Sequence, residues 1–267
     1  MPDYTHPAEA ETRNSKFESR IRALLQALGS CFGFRVSDFE FHPTGGRMGE
    51  PSRLLLPGTD VTEVRSGRVR IRVFTRADLD RRCEWPHYSD PVFDHLNLRI
   101  PNEAAREIWF RREWEARKPF WFAVEDERGE MIGSITLRDH SRWWKATRLG
   151  IHMHPQRLDH GYGSEAMRVF LDYYFNRLGY KLMKLDVAAW NRRAIRCYEK
   201  LGFVHRWEFW RPNTDAVEWL VDDRFAHVRE HVERRHGYEC VRHYEMHLDA
   251  ETYQKLRTDA TGDKIQT

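Results

Sequence analysis

The stretch that decides the fold runs from His160 to Met167 and reads HGYGSEAM. Gly161 and Gly163 stand one residue apart and lead into a predicted helix over 163–178. A tight turn before a helix is the simplest interpretation, because glycine tolerates positive φ. Two further interpretations require a ligand that approaches this backbone closely.

A dinucleotide site is one such interpretation. Gly161, Gly163 and Ala166 satisfy G-x-G-x-x-A, and Asp186 follows about 20 residues later, as that motif requires. The fit is poor, because QRLDH separates Pro155 from Gly161, whereas a dinucleotide glycine follows its strand almost directly. The preceding GIHMH also alternates with histidine, whereas a parallel strand buried on both faces is continuously apolar.

An anion cradle is the third interpretation. Backbone N–H groups in the loop between Pro155 and Gly161 can turn toward one point, and the glycines leave room for a bulky anion to touch them. The positive end of the helix dipole adds attraction, which favours a pyrophosphate. No Lys followed by Ser or Thr completes a P-loop here, which argues against a nucleoside triphosphate with Mg²⁺.

A second stretch, NRRAIRCYEKLGF at Asn191–Phe203, decides among these interpretations. Together the two stretches resemble the GCN5-related N-acetyltransferase (GNAT) superfamily. That family carries a strand ending in x-P, a Q/R-x-x-G-x-G/A loop, a helix, a strand, and then N-x-x-A-x-x-x-Y-x-x-x-G-F. The matching residues are Pro155, Gly161, Gly163, Asn191, Ala194, Tyr198, Gly202 and Phe203. The resemblance covers 67–211, and GYGSEAM and CYEKLGF are most similar to the branch that includes ribosomal-protein N-terminal acetyltransferases.

The fold implied by this resemblance is α/β (α+β): a mixed, mostly antiparallel sheet, splayed near its centre and flanked by helices. The hydrophobic patterns predict the order β-α-α-β-β-β-α-β-α-β. The first strand begins near Gly67, Thr75 and Asp78 cap the next helix, and a hairpin turns near Arg128–Gly129. A charged helix around 222–235 and a strand YECVRHYEMHL follow.

Three parts are expected: an N-terminal extension at 1–65, the GNAT domain at 66–250 and a C-terminal tail at 251–267. In the extension, SKFE at Ser15–Glu18 is a capping-box pattern. Apolar residues follow at helical spacing and predict an amphipathic helix; they are Phe17, Ile21, Leu24, Leu25 and Leu28. This helix is expected to pack on the domain or to form a homodimer contact.

Composition excludes several classes of function. A net charge of +3 is too mild for a nucleic-acid-binding protein, which would need a concentrated basic stripe. No apolar run approaches the roughly 20 residues of a membrane span. The N-terminus has no apolar secretory segment, and the four scattered cysteines form no C-x-x-C pair, so a cytoplasmic protein is expected. The histidines form no H-E-x-x-H pattern, and no metal is predicted.

The resemblance implies acetyl-CoA as the acetyl donor and an amine as the acceptor, either a small molecule or a protein N-terminus. In the family, the strand matching Leu149–His154 offers free backbone groups to the pantetheine amides, which here gives that role to Ile151 and Met153. The pyrophosphate would be held by backbone N–H groups of Leu158, Asp159, His160, Gly161, Gly163 and Ser164. Leu158 stands where the family has Gln or Arg, so one side-chain contact is lost while the backbone donors remain.

Tyr198 is the predicted proton donor to the departing thiolate, because a phenol with a pKa of about 10 stays protonated at neutral pH. The alternative is a helix aromatic that only fills the core. Asn191 either caps the short helix or contacts the cofactor. Cys197 has no partnered histidine in the motif, so a covalent acetyl-cysteine step is not expected.

His152 is the predicted base, and alternation places it on the same strand face as His154. Asp139 and Glu218 are weaker candidates, and the amine proton can also leave through water. Four tryptophans fill the core, belong to a dimer surface or line an acceptor channel; they are Trp143, Trp144, Trp207 and Trp210. The alternative function is a non-catalytic acyl-CoA-binding regulatory module with the same fold.

Overall fold

The sheet is mixed and mostly antiparallel, as predicted. The computed structural model describes residues 63–117 and 120–262, so the amphipathic helix predicted near the N-terminus lies outside the described residues. The strands of the described part are β1 (Glu63–Ser66), β2 (Val69–Val73), β3 (Trp121–Glu125), β4 (Met131–Ser141), β5 (Ala146–Met153), β6 (Leu182–Ala188), β7 (Val204–Pro212), β8 (Val232–Arg235) and β9 (Tyr238–Asp249). Their order is β1-β2-β3-β4-β5-β6-β9-β7, with β8 also paired to β9. Within these residues, β5 and β6 form the one parallel pair.

Helices cover both faces of this sheet. They are α1 (Arg76–Cys83), α2 (Glu103–Arg117), α3 (Tyr162–Asp172), α4 (Arg192–Lys200), α5 (Ala216–Val221) and α6 (Ala250–Gly262), with short 3-10 helices at Pro91–Leu96, Pro155–Arg157 and Asp223–His231. The predicted capping box of Thr75 and Asp78 begins α1. A π-helical turn at Tyr173–Arg177 extends α3. None of the described helices is both long enough and apolar enough to cross a bilayer.

Alternation along β3 shows how the faces divide. Phe122 and Val124 belong to the large core under α3, which also contains Phe170 and Met246. Trp121 and Ala123 point to the opposite face and pack with residues of α1 and α2; this second core contains Phe74, Leu79 and Trp109. A third cluster, with Trp219, Phe225 and Val241, covers the sheet near β8 and β9.

The charged helix predicted at 222–235 is wrong. A 3-10 helix occupies Asp223–His231, and the chain then enters β8, which pairs with β9 as a hairpin. His236 and Gly237 make the turn with φ values of 50° and 83°, the left-handed conformation that two-residue hairpins need. The His236–Gly237 pair is the sequence signal for this hairpin that the prediction of a helix overlooked. The sheet also begins at Glu63, inside the last residues assigned to the extension, and most of the predicted tail lies in α6.

The strands β5 and β6 separate halfway along their length. They pair from Ala146 opposite Leu182 to Leu149 opposite Leu185. Beyond that point Gly150–Met153 pair with β4 and Asp186–Ala188 pair with β9. We call the paired half the closed end, the separated half the open end, and the space between the separated strands the gap.

Candidate active site

The open end presents backbone groups that no neighbouring strand pairs. The N–H of His154 donates to the carbonyl of Ile132 on β4 at 2.7 Å. Because main-chain groups alternate in direction along an antiparallel strand, His152 bonds toward β4, whereas the N–H and C=O of Ile151 and Met153 point toward the gap. These are the two residues whose main chain was predicted to hold the pantetheine arm.

The glycine loop joins the open end to α3. After the 3-10 turn at Pro155–Arg157, Leu158 is extended, while Asp159 (φ 62°) and Gly161 (φ 84°) are left-handed. Gly161 is the residue that precedes the first turn of α3, which starts at Tyr162, one residue before the predicted start. The left-handed Gly161 turns the chain so that α3 begins beside the end of β5.

Three backbone donors of this helix start are free of helical bonds. The first internal hydrogen bond of α3 runs from the N–H of Glu165 to the carbonyl of Gly161. The N–H groups of Tyr162, Gly163 and Ser164 therefore have no acceptor within the helix. A β-carbon on Gly163 would lie 3.6 Å from Cγ of Met153, so this glycine faces the open end directly.

Arg68 connects the turn before β2 to the glycine loop and is ion-paired with Glu165. From the turn between β1 and β2, its Nε donates to Glu165 at 3.0 Å and its Nη2 donates to the carbonyl of His160 at 3.3 Å. Its guanidinium carbon lies 4.4 Å from the ring centre of Tyr162. Sequence reasoning missed this residue, because no local pattern connects Arg68 to a loop that lies more than 90 positions away.

The helix α4 lies against the same loop. Ser164 Oγ is 3.2 Å from Cys197 Sγ, and Arg193 Nη1 is 3.6 Å from a carboxylate oxygen of Asp159. Asn191 accepts the N–H of Ala194 at 3.1 Å, so its side chain caps α4. A contact between Asn191 and a cofactor stays a prediction.

Tyr198 combines a packed ring with an available hydroxyl. The residue is 9% exposed, and its ring centre lies 5.8 Å from that of Phe203. Within the described part of the chain, its hydroxyl makes no hydrogen bond. Burial raises the pKa of Tyr198 above its ordinary value, with a smaller contribution from Cys197. The phenol is therefore protonated at neutral pH and its proton is not engaged by another group.

His152 is held in the neutral form. Burial lowers the pKa of His152 well below its ordinary value, and the positive charges of Arg82 and Arg138 together with His95 lower it further. An imidazole in this state can accept a proton at neutral pH, although it is a weak base.

The other candidate bases do not share this location. His154 follows the last residue of β5, continues its ladder through the bond to Ile132 and has its ring centre 5.0 Å from that of Trp85; the strand face shared with His152 stays a prediction. Asp139 pairs with Arg148 at 3.0 Å near the closed end. Glu218 lies on α5 and pairs with Arg224 at 2.9 Å.

Two further interpretations are wrong. The Asp186 carboxylate of the dinucleotide interpretation accepts hydrogen bonds from Arg148 and, at 3.0 Å, from Arg211, so both of its oxygens are engaged. The prediction that the tryptophans fill the core is wrong for three of them. Trp143 is 89% exposed, Trp144 is 72% exposed and Trp207 is 51% exposed. The first two lie in the turn between β4 and β5, at the closed end.

A splayed sheet with a glycine-led helix start at the gap, followed by a helix that carries a tyrosine, defines the class: this is an acetyltransferase. A family model described as "Acetyltransferase (GNAT) domain" matches residues 68–204. The chain belongs to this GNAT family of N-acetyltransferases.

Curated relatives cover parts of the chain. The kanamycin resistance protein of Rhizobium radiobacter is 31% identical over 100 residues, which are 35% of this chain and 92% of that protein. The spermidine N(1)-acetyltransferase of Vibrio cholerae is 30% identical over 108 residues, or 40% of this chain and 59% of that enzyme. The aminoglycoside N(6')-acetyltransferase type 1 of Klebsiella pneumoniae is 30% identical over 112 residues, or 38% and 55%. The chain thus spans less than two thirds of the last two proteins.

Solved structures share the fold. A GNAT-family acetyltransferase from Bacillus anthracis superposes with a TM-score of 0.51 and 15% identity, covering 71% of this chain and 99% of that one. A spermidine N-acetyltransferase chimera from Vibrio cholerae gives 0.50 and 19%, covering 70% and 99%. None of the proteins named here belongs by its name to the ribosomal-protein branch, so that narrower resemblance stays a prediction.

Proposed function

We propose that the chain transfers an acetyl group from acetyl-CoA to a primary amine by direct attack in a ternary complex. The observation that carries this proposal is that the N–H groups of α3 without helical acceptors lie beside the edge of β5 that β6 does not pair. The N–H groups of α3 can bind a diphosphate, and the main chain of β5 can form hydrogen bonds with the amides of the arm attached to it.

The residues present fit the donor chemically. Backbone N–H groups of Tyr162, Gly163 and Ser164, together with the positive end of α3, favour an anion. The guanidinium of Arg68 lies beside them and is ion-paired with Glu165 of the same helix. The main chain of Ile151 and Met153 would hold the arm through its amide groups.

The chain's own residues supply proton transfers. When the amine attacks the thioester carbonyl, a C–N bond forms, the C–S bond breaks and the sulfur leaves as a thiolate. Tyr198 donates its hydroxyl proton to that sulfur, and neutral His152 accepts the proton lost by the amine. Cys197 contacts Ser164 rather than a histidine, which disfavours an acetyl-cysteine intermediate.

The acceptor is proposed to be a small primary amine. The names of the relatives describe enzymes that acetylate spermidine and aminoglycosides, and both acceptors carry primary amines on a polycation. A protein N-terminus, as the ribosomal-protein resemblance suggests, is the second candidate. The homodimer contact of the N-terminal extension also stays a prediction.

Thiol release from acetyl-CoA tests this function with the full chain. Spermidine, kanamycin and a peptide with a free N-terminal alanine serve as acceptors, and thiol appearance is followed with and without each amine. Amine-dependent release with spermidine or kanamycin supports the proposal, and release with the peptide alone assigns the ribosomal-protein branch. Coenzyme A binding by calorimetry without release in any arm would favour the non-catalytic module. Binding of NAD instead of coenzyme A would contradict both.

A further inference from the structure

A residue from outside the sheet reaches the open end. Tyr88, in the segment between α1 and α2, donates its hydroxyl proton to the carbonyl of Met153 at 2.6 Å. This carbonyl is one of the groups that the register of β5 directs toward the gap. Beyond Leu149, where β6 no longer pairs with β5, Tyr88 takes the place of a strand partner for Met153.

Packing fixes the position of Tyr88. Its N–H donates at 3.1 Å to the side chain of Asn97, which is 6% exposed. Its ring centre lies 5.6 Å from that of Phe93, and Phe93 meets Trp190 edge-on at 5.1 Å. Since Trp190 follows β6, the three rings connect the end of β5 to the end of β6 across the gap. Burial raises the pKa of Tyr88, so its hydroxyl keeps its proton.

We propose that Tyr88 is a positioning residue for the arm of the acetyl donor, which it serves by holding the gap-side edge of β5 in place. This inference rests on the proposed function. A carbonyl oxygen has two lone pairs, so Met153 can accept the Tyr88 hydroxyl and an amide N–H of the arm together. Without Tyr88, the strand end would have to be ordered when the arm binds, which costs affinity.

The closed end offers a matched control. Tyr174 donates its hydroxyl proton to the carbonyl of Leu182 at 2.8 Å, so it makes the same kind of bond to a strand residue. Tyr88→Phe and Tyr174→Phe each delete one hydroxyl and one hydrogen bond to a main-chain carbonyl, and Tyr174→Phe also removes the acceptor of the Thr147 hydroxyl. Only the first of these bonds lies at the gap.

Calorimetry with two ligands tests the inference. Coenzyme A carries the arm, whereas 3′-phosphoadenosine 5′-diphosphate is the same molecule without it. We expect Tyr88→Phe to bind coenzyme A about three- to ten-fold more weakly, the value of one hydrogen bond, and to bind the armless nucleotide as the wild type does. Tyr174→Phe should bind both ligands normally.

Each other result has a distinct meaning. Unchanged or tighter coenzyme A binding by Tyr88→Phe, or equal weakening of both ligands, would overturn the positioning role. Failure of the wild type to bind coenzyme A would instead refute the proposed function, and this inference with it. If Tyr88→Phe does not fold, Phe93→Leu keeps the hydroxyl but removes the ring beside it. This variant should show the same selective loss to a smaller extent, and an unchanged ratio of the two affinities would contradict the inference.

Discussion

The two ends of the β5–β6 pair are made by the same strands and have opposite properties. At the closed end the two strands bond to each other, and Tyr174 connects them further. Its hydroxyl donates to the carbonyl of Leu182 on β6 and accepts from Oγ1 of Thr147 on β5 at 2.9 Å. At the open end, each strand keeps its other neighbour to the last residue: Met153 stays opposite Gly133, and Ala188 stays opposite His243. The gap is therefore a stable division between two well-paired half-sheets rather than a frayed edge.

The division point coincides with a glycine. A β-carbon on Gly150 would lie 2.7 Å from Oγ1 of Thr136, so a side chain there would require the Thr136 side chain to shift. At this residue β5 stays paired with β4 while β6 stays paired with β9. The same choice of partners that opens the gap frees the backbone of Ile151 and Met153, so stability resides at the closed end and chemistry at the open end.

The largest expected effect comes from Tyr198→Phe. If Tyr198 serves the open end as a proton donor, kcat should fall by about 10²–10⁴, because general acid help to the leaving sulfur is lost. The KM for acetyl-CoA should stay nearly unchanged, since the phenyl ring keeps its packing against Phe203. Steady-state kinetics measure both values. Tyr173→Phe, a change in another buried tyrosine, should leave kcat intact. Full activity of Tyr198→Phe would return this residue to a purely structural role.

Substitutions in the glycine loop should change the KM for acetyl-CoA rather than kcat. In Gly163→Val, the added methyl groups project toward the open end and block two of the helix N–H groups, which raises the KM for acetyl-CoA about 100-fold if each charge-assisted bond contributes about 1.5 kcal/mol. Gly163 is a better position than Gly161, because the φ of 84° at Gly161 would strain any side chain. Gly163→Ala serves as the graded control, since its β-carbon meets Met153 at an ordinary contact distance of 3.6 Å. A folded Gly163→Val enzyme with wild-type KM would refute the cradle.

Sequence could predict the parts of this site that carry local patterns. Gly161 and Gly163 predict a turn into a helix, and Asn191 predicts the cap of α4, because each of these signals acts on the backbone within a few residues. Arg68 and Tyr88 could not be found this way. They meet His160 and Met153 only after the sheet assembles, and a single arginine or tyrosine in a loop has no pattern of its own. The exposure of Trp143 and Trp144 was likewise unpredictable, because aromatic content does not reveal which rings are buried.

Buried histidines should make the fold acid-sensitive at both ends, since burial also lowers the pKa of His140, beside the closed end, to about 4. Burial, aided by Arg211, lowers the pKa of His243 to about 4, and burial lowers that of His152 as well. Because the unfolded histidine has a pKa near 6.5, the unfolded chain binds more protons below that pH, and each such histidine removes up to about 1.4 kcal/mol of stability per pH unit between about 6.5 and its folded pKa. Urea unfolding from pH 7.5 to 5 measures the slope. His243→Gln should make the slope shallower than that of the wild type, and an identical slope would show that His243 does not contribute.

The smallest effect is expected from a substitution at the closed end, and it tests most directly whether the closed and open ends have separate roles. Thr147 is 1% exposed, and Thr147→Val removes its hydrogen bond to Tyr174 while Tyr174 keeps the carbonyl of Leu182. The free energy of unfolding should fall by about 1 kcal/mol, the value of one buried hydrogen bond, as urea denaturation can measure. The affinity for coenzyme A should not change, because the gap begins beyond Leu149 and its strands are held by β4 and β9. If that affinity fell together with stability, the closed end would be setting the width of the gap, and the assignment of stability to one end and chemistry to the other would be wrong.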